Sequence, residues 1–181
     1  MLFRSVEEAA GQPAIERDGD PLPPAVLDSI RATWGTMLDK GALTTWEVFP
    51  GLDILDGWWT RSWCHAWSAL PAYLLQAYVL GVRPLEPGFK KALIAPQLAD
   101  LAWAEGKVPT PHGTIAVRVE RAGTDVRVQV TLPEGAAAEV RLPAGKATPL
   151  VTGASARIQR VHDEYVIDLP PGAAATISSG H

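Results

Sequence analysis

Apolar side chains recur at helical spacing between residues 24 and 41. Leu27, Ile30, Trp34 and Met37/Leu38 share one face, and Asp28, Ser29 and Arg31 take the other. Pro24 suits a first helical turn and Gly41 a helix stop, so the pattern predicts an amphipathic helix between them. A shorter helical pattern, Leu2, Val6 and Ala9/Ala10, precedes a proline-rich loop. Residues 42–59 show no sustained period and many turn formers. The helical period returns from Ser68 through Leu70, Tyr73, Leu74, Ala77 and Tyr78. Gln76 is almost its only polar side chain, which predicts a helix surrounded by other elements. Gly81 ends it, and residues 82–91 read as a proline-pinned linker.

Beyond residue 91 the period falls to two. Ile115, Val117 and Val119 alternate with Ala116, Arg118 and Glu120. Val126, Val128, Val130 and Leu132 repeat this after an Ala-Gly-Thr-Asp turn, which predicts a hairpin. Weaker strands are expected at 92–94, 101–104, 138–142, 156–161, 165–169 and 173–178. Seven or eight short strands at this spacing predict an antiparallel sandwich. The fold class is α+β, with helices in residues 1–88 and a β-sandwich in 89–181. Two or three helices, one apolar all round, do not enclose themselves, so the first part reads as the end of a larger helical domain.

The 181 residues, 47% apolar and 20% charged, suit a folded globular chain. A net charge of −4 and the lack of a basic patch argue against nucleic acid or an anionic membrane as partner. No apolar run is long enough to span a bilayer. The single cysteine, Cys64, cannot form an internal disulfide, and the four histidines lack zinc-site spacing, so neither metal nor cofactor is expected. No secretion signal opens the chain, and the cytoplasm is the default compartment.

Residues 44–91 concentrate tryptophan around a few polar groups. That suits a carbohydrate site, where rings stack on sugar C–H faces and polar groups meet hydroxyls. The bland alternative is that these rings fill a core. Trp46 and Phe49 flank Glu47, an aromatic setting unusual for a merely solvated carboxylate.

The strings TTWEVF, TRSWCHAWSA, YVLGVRPLEPGFKK, APQLADLAWAEG and VPTPHG, in this order, resemble the C-terminal part of bacterial α-L-rhamnosidases. The resemblance covers about residues 24–119. It implies the last helices of an incomplete (α/α)6 barrel followed by a β-sandwich. It also implies an inverting hydrolase that removes terminal α-L-rhamnose from rhamnosyl glycosides. Glu47 matches the family's general base, which deprotonates the attacking water. His65 matches a sugar-contacting histidine. Trp46 is expected to wall the sugar pocket, with Trp58 or Trp59 as another wall, while Trp63 and Trp67 flank His65. Arg61 either reaches a hydroxyl or caps a helix. Two positions depart from the family pattern: Leu70 stands where a small residue is expected, and Ala99 where glycine is usual.

The resemblance places the general acid upstream of these residues, and nothing marks Asp53 or Asp56 as a substitute. The expectation is an enzyme's C-terminal portion, inactive alone. The alternatives are a non-catalytic carbohydrate-binding or accessory module, or one half of a split glycosidase whose N-terminal portion is a separate partner.

Overall fold

The computed structural model describes residues 24–48 and 62–180. The expected helix at 2–10, along with Asp53, Asp56, Trp58, Trp59 and Arg61, lies outside the described residues. The chain divides into two compact units, Met1–Tyr73 and Leu74–His181.

In the first unit, α1 (Pro24–Asp39) forms as its periodicity predicts. Leu27 and Met37 are buried, and Gly41 closes the helix at φ +79°, a conformation that costs glycine least. Met37 and Trp46 form a small core, with Trp34 and Ala42 packed on it. A 3-10 turn, Ala66–Ala69, leads into α2 (Leu70–Leu74). The next residues, Leu75–Val79, widen into a π turn in which Leu80 N–H donates to Leu75 O at 2.8 Å. The expectation of a wholly surrounded helix is met over Ala77–Val79, which are buried. Leu70, Tyr73 and Leu75 are exposed.

The second unit is a sandwich of two five-stranded sheets. One orders β1 (Val82–Pro84), β2 (Lys91–Ile94), β6 (Ala137–Pro143), β9 (Glu164–Leu169) and β8 (Arg157–Val161) as β1-β2-β6-β9-β8. The other orders β3 (Trp103–Thr110), β4 (Gly113–Ala122), β5 (Asp125–Thr131), β10 (Ala174–Gly180) and β7 (Ala147–Thr152) as β3-β4-β5-β10-β7. The alternation read at 115–132 places Ile115, Val117, Val119, Val128 and Val130 in the core. Ile177 joins them beside Val128 in the same sheet, and Val140, Leu142, Tyr165 and Ile167 come from the other sheet.

Three points correct the sequence reading. The segment expected as linker contains β1, paired with β2 through Val82↔Ile94 and Pro84↔Ala92. Residues 147–152 form a strand despite Pro149, which the edge position of β7 permits. The sheets are not wholly antiparallel, since β2 and β6 run parallel with Leu93↔Glu139 in register. That parallel pair carries an ionic clasp on its outer face. Lys91 Nζ donates to Glu139 at 3.0 Å and to Asp168 at 2.8 Å, and Arg141 Nε holds the other Glu139 oxygen at 2.8 Å.

Candidate functional site

Glu47 and His65 are eighteen residues apart, yet the backbone sets them side by side. Glu47 N–H donates to Ser62 O at 3.0 Å, and His65 N–H donates to Thr45 O at 2.8 Å. Thr45 Oγ1 returns a bond to His65 O at 3.0 Å, and Thr44 Oγ1 donates to Trp63 O. Residues 44–47 and 62–65 are therefore stitched as a short two-stranded ladder. Threonine suits both places, because its hydroxyl can satisfy carbonyls that an irregular segment would otherwise leave unpaired.

The His65 backbone is extended, φ −126° and ψ 120°, and it caps the 3-10 turn without using its imidazole. Ser68 Oγ, fully buried, donates to His65 O at 3.0 Å. Trp34 Nε1 donates to Ser68 O at 2.7 Å and so fastens α1 beneath the same turn. The imidazole is left half-exposed, with Trp67 edge-on at 5.7 Å between ring centres.

The Glu47 carboxylate is 27% exposed, and its Oε2 lies 3.9 Å from His65 Nδ1. That is too long for a direct hydrogen bond. It is close enough for both groups to hold one polar atom of a third party, a water or a sugar hydroxyl. Chemically the pair offers a carboxylate acceptor and an imidazole that donates or accepts.

Trp46 is 6% exposed and packs in the Met37 core, edge-on to Trp63 with ring centres 4.8 Å apart. It therefore braces the backbone that carries Glu47. Among the described residues the rings with open faces near His65 in sequence are Trp63 and Trp67, both more than two-fifths exposed. Sequence reasoning passed over Trp34 and Ser68 as positioning residues. The signal available was Trp34 on the apolar face of α1, whose indole N–H needs a partner once partly buried. Cys64 is exposed, not the buried apolar residue its type suggests. Among the described residues, no three His, Cys, Asp or Glu side chains converge to hold a metal ion, and no helix is long and apolar enough to cross a membrane.

Comparison with known proteins gives this arrangement a context. Residues 81–157 match the family described as the bacterial alpha-L-rhamnosidase C-terminal domain. An alpha-L-rhamnosidase of Alteromonas sp. (strain LOR) is 34% identical over 127 residues, covering 67% of this chain and 14% of the relative. One from Streptomyces avermitilis is 23% identical over 138 residues, covering 74% of this chain and 13% of the relative. The crystal structure of Streptomyces avermitilis alpha-L-rhamnosidase complexed with L-rhamnose superposes with a TM-score of 0.65 at 21% identity. It covers 81% of this chain and 15% of that one, and shows the shared fold. A GH78 rhamnosidase of Bacillus sp. GL1 is 36% identical with a TM-score of 0.54, over 77% of this chain and 15% of that one. The chain thus spans about one seventh of the length of the relatives it matches. It belongs to the α-L-rhamnosidase family, to whose C-terminal part it corresponds.

Proposed function

We propose that residues 44–68 contribute the general-base side of an inverting α-L-rhamnosidase site, with Glu47 as base and His65 as a hydroxyl-contacting partner. The observation that carries this reading is the ladder that brings Glu47 within 3.9 Å of His65 Nδ1 and leaves both partly open. In such a reaction one carboxylate removes a proton from water. A carboxylic acid about 6.5–9.5 Å away protonates the departing glycosidic oxygen. A water about 2.8 Å from each group fits the Glu47–His65 spacing. Glu47 would take its proton, and His65 would fix the sugar hydroxyl or the water's orientation. Trp46, buried behind Glu47, holds the carboxylate in place, and Trp67 offers a ring beside His65; Trp58 or Trp59 supplies a further wall.

The acid is supplied from outside these residues, so the chain alone should not turn over substrate, because base and acid contributions act together. The test is a chimaera of the Streptomyces avermitilis enzyme carrying this chain in place of its matching C-terminal segment, assayed on nitrophenyl α-L-rhamnoside. Glu47→Gln should lower kcat by about 10³-fold or more, the scale at which a general base contributes with its positioning. A chimaera indifferent to that change would end the assignment, and nitrophenol release by the 181-residue chain alone would refute its expected inactivity.

A further inference from the structure

The sandwich unit has a shallow cleft of about 350 Å³ on the outer face of the β2-β6-β9-β8 sheet. Its polar lining is Lys91, Asp168, Arg157 and Ser155, and its apolar lining is Ala137, Ala156, Leu169 and Pro170. Arg157 and Asp168 stand directly opposite each other on β8 and β9. The Lys91 bond to Asp168 Oδ1, at 2.8 Å, holds that carboxylate in place before any ligand arrives. Lys91 is itself shared with Glu139, whereas Arg157 makes no ion pair among the described residues and is exposed.

We propose that this cleft is a binding subsite for a neutral sugar ring, a role independent of the Glu47–His65 reading. Neighbouring ring hydroxyls need a donor and an acceptor side by side, which Arg157 and Asp168 supply across one strand pair. Ser155 adds a hydroxyl that does either. Ala137, Ala156, Leu169 and Pro170 add apolar surface for a C–H face. Lys91 is engaged by Asp168 and Glu139, which leaves Arg157 as the open cation of the lining beside a carboxylate, and an anion is the competing ligand that the test separates from a neutral ring. The volume lies at the lower end of the range for small-ligand sites, suited to one or two rings. Because Asp168 is locked to Lys91, less side-chain freedom is lost on binding than on an ordinary surface.

The test is amide chemical-shift mapping of the full chain with L-rhamnose, D-glucose, D-glucuronate and inorganic phosphate. With a Kd on the order of 1 mM, saturation should be reached by about 50 mM neutral sugar. The expected result is saturable shifts at Lys91, Ala137, 155–157 and 168–169 with at least one neutral sugar. Arg157→Ala should weaken binding about tenfold, the loss of one hydrogen bond from a charged group, with the melting temperature unchanged. Ser155→Ala should weaken it by a smaller factor. Shifts from glucuronate or phosphate alone would make the cleft an anion site and overturn the proposal. So would neutral-sugar shifts confined to residues outside it, no shifts at all, or binding that survives Arg157→Ala undiminished.

Discussion

Two residue-scale features have consequences of opposite kinds. Ala99 adopts φ +46°, left-handed backbone that favours glycine, at the position where the family resemblance leads one to expect glycine. A non-glycine there costs about 1–2 kcal/mol, and glycine's extra unfolded-state freedom returns about 0.5–1 kcal/mol of that. Ala99→Gly is therefore expected to stabilise the sandwich by about 0.5–1 kcal/mol in urea unfolding. The Lys91 clasp stabilises instead. Hydrogen bonding to Asp168 raises the Lys91 pKa against the opposing effect of burial, with Glu139 adding to the rise. Burial pushes the Glu139 carboxyl up, but hydrogen bonds from Arg141 and Lys91 outweigh it and hold the group below its usual 4.5. Glu139 therefore contributes stability above that value, lost as pH falls through its depressed folded pKa. Lys91 contributes below 10.5, and its share is lost as pH rises through its raised folded pKa. Lys91→Met should cost about 1 kcal/mol near neutral pH, kept small by partial solvation, and should flatten the alkaline limb of a stability–pH curve. The glycine preference at 99 was legible through the family resemblance. The clasp was not, because its members are 48 and 77 residues apart along the chain.

At the scale of elements, legibility followed locality. The α1 helix and the β4–β5 hairpin were readable because their periods lie within one continuous stretch. β1 escaped notice since three residues ending in proline carry no period, and β7 because Pro149 argues against a strand unless it lies at an edge. The parallel β2–β6 pairing joins segments too distant for any local pattern to announce. The motif named Glu47 and His65 but not the ladder that joins them, since Thr44 and Thr45 look like ordinary loop residues until their bonds to 63 and 65 are seen. Gly81 shows an element boundary set by sterics. It lies at φ +79°, and a Cβ there would stand 2.2 Å from the Ala95 carbonyl carbon, backbone that cannot swing aside. Its own carbonyl accepts from Ala95 N–H at 3.0 Å, so the approach is part of the pairing. Gly81→Ala should destabilise the sandwich by about 3 kcal/mol, from left-handed strain plus overpacking, measured as a lowered urea midpoint.

At the scale of the molecule, the two units differ in how fully they bury themselves. Leu74–His181 holds one continuous core running from Leu80 to Ile177. A fragment of residues 74–181 is expected to fold alone, with a strand-type circular dichroism spectrum and a single cooperative melt. A broad, non-cooperative melt would contradict that. The first unit's described core is the small Met37–Trp46 cluster, while Leu38, Trp63, Trp67 and Tyr73 remain exposed.

The strand order has a further effect on the timing of synthesis. The ribosome delivers β1 and β2 before any other strand, yet one side of β2 stays unmatched until residues 137–143 have emerged. β5 and β7 both wait for β10, which is inserted between them after every other strand has been made. Only the consecutive runs β1–β2, β3–β4–β5 and β8–β9 can zip up as they appear. The nascent chain must therefore carry open strand edges for most of its translation, and trimming residues 174–180 would remove a keystone from the middle of a sheet, not a frayed tail.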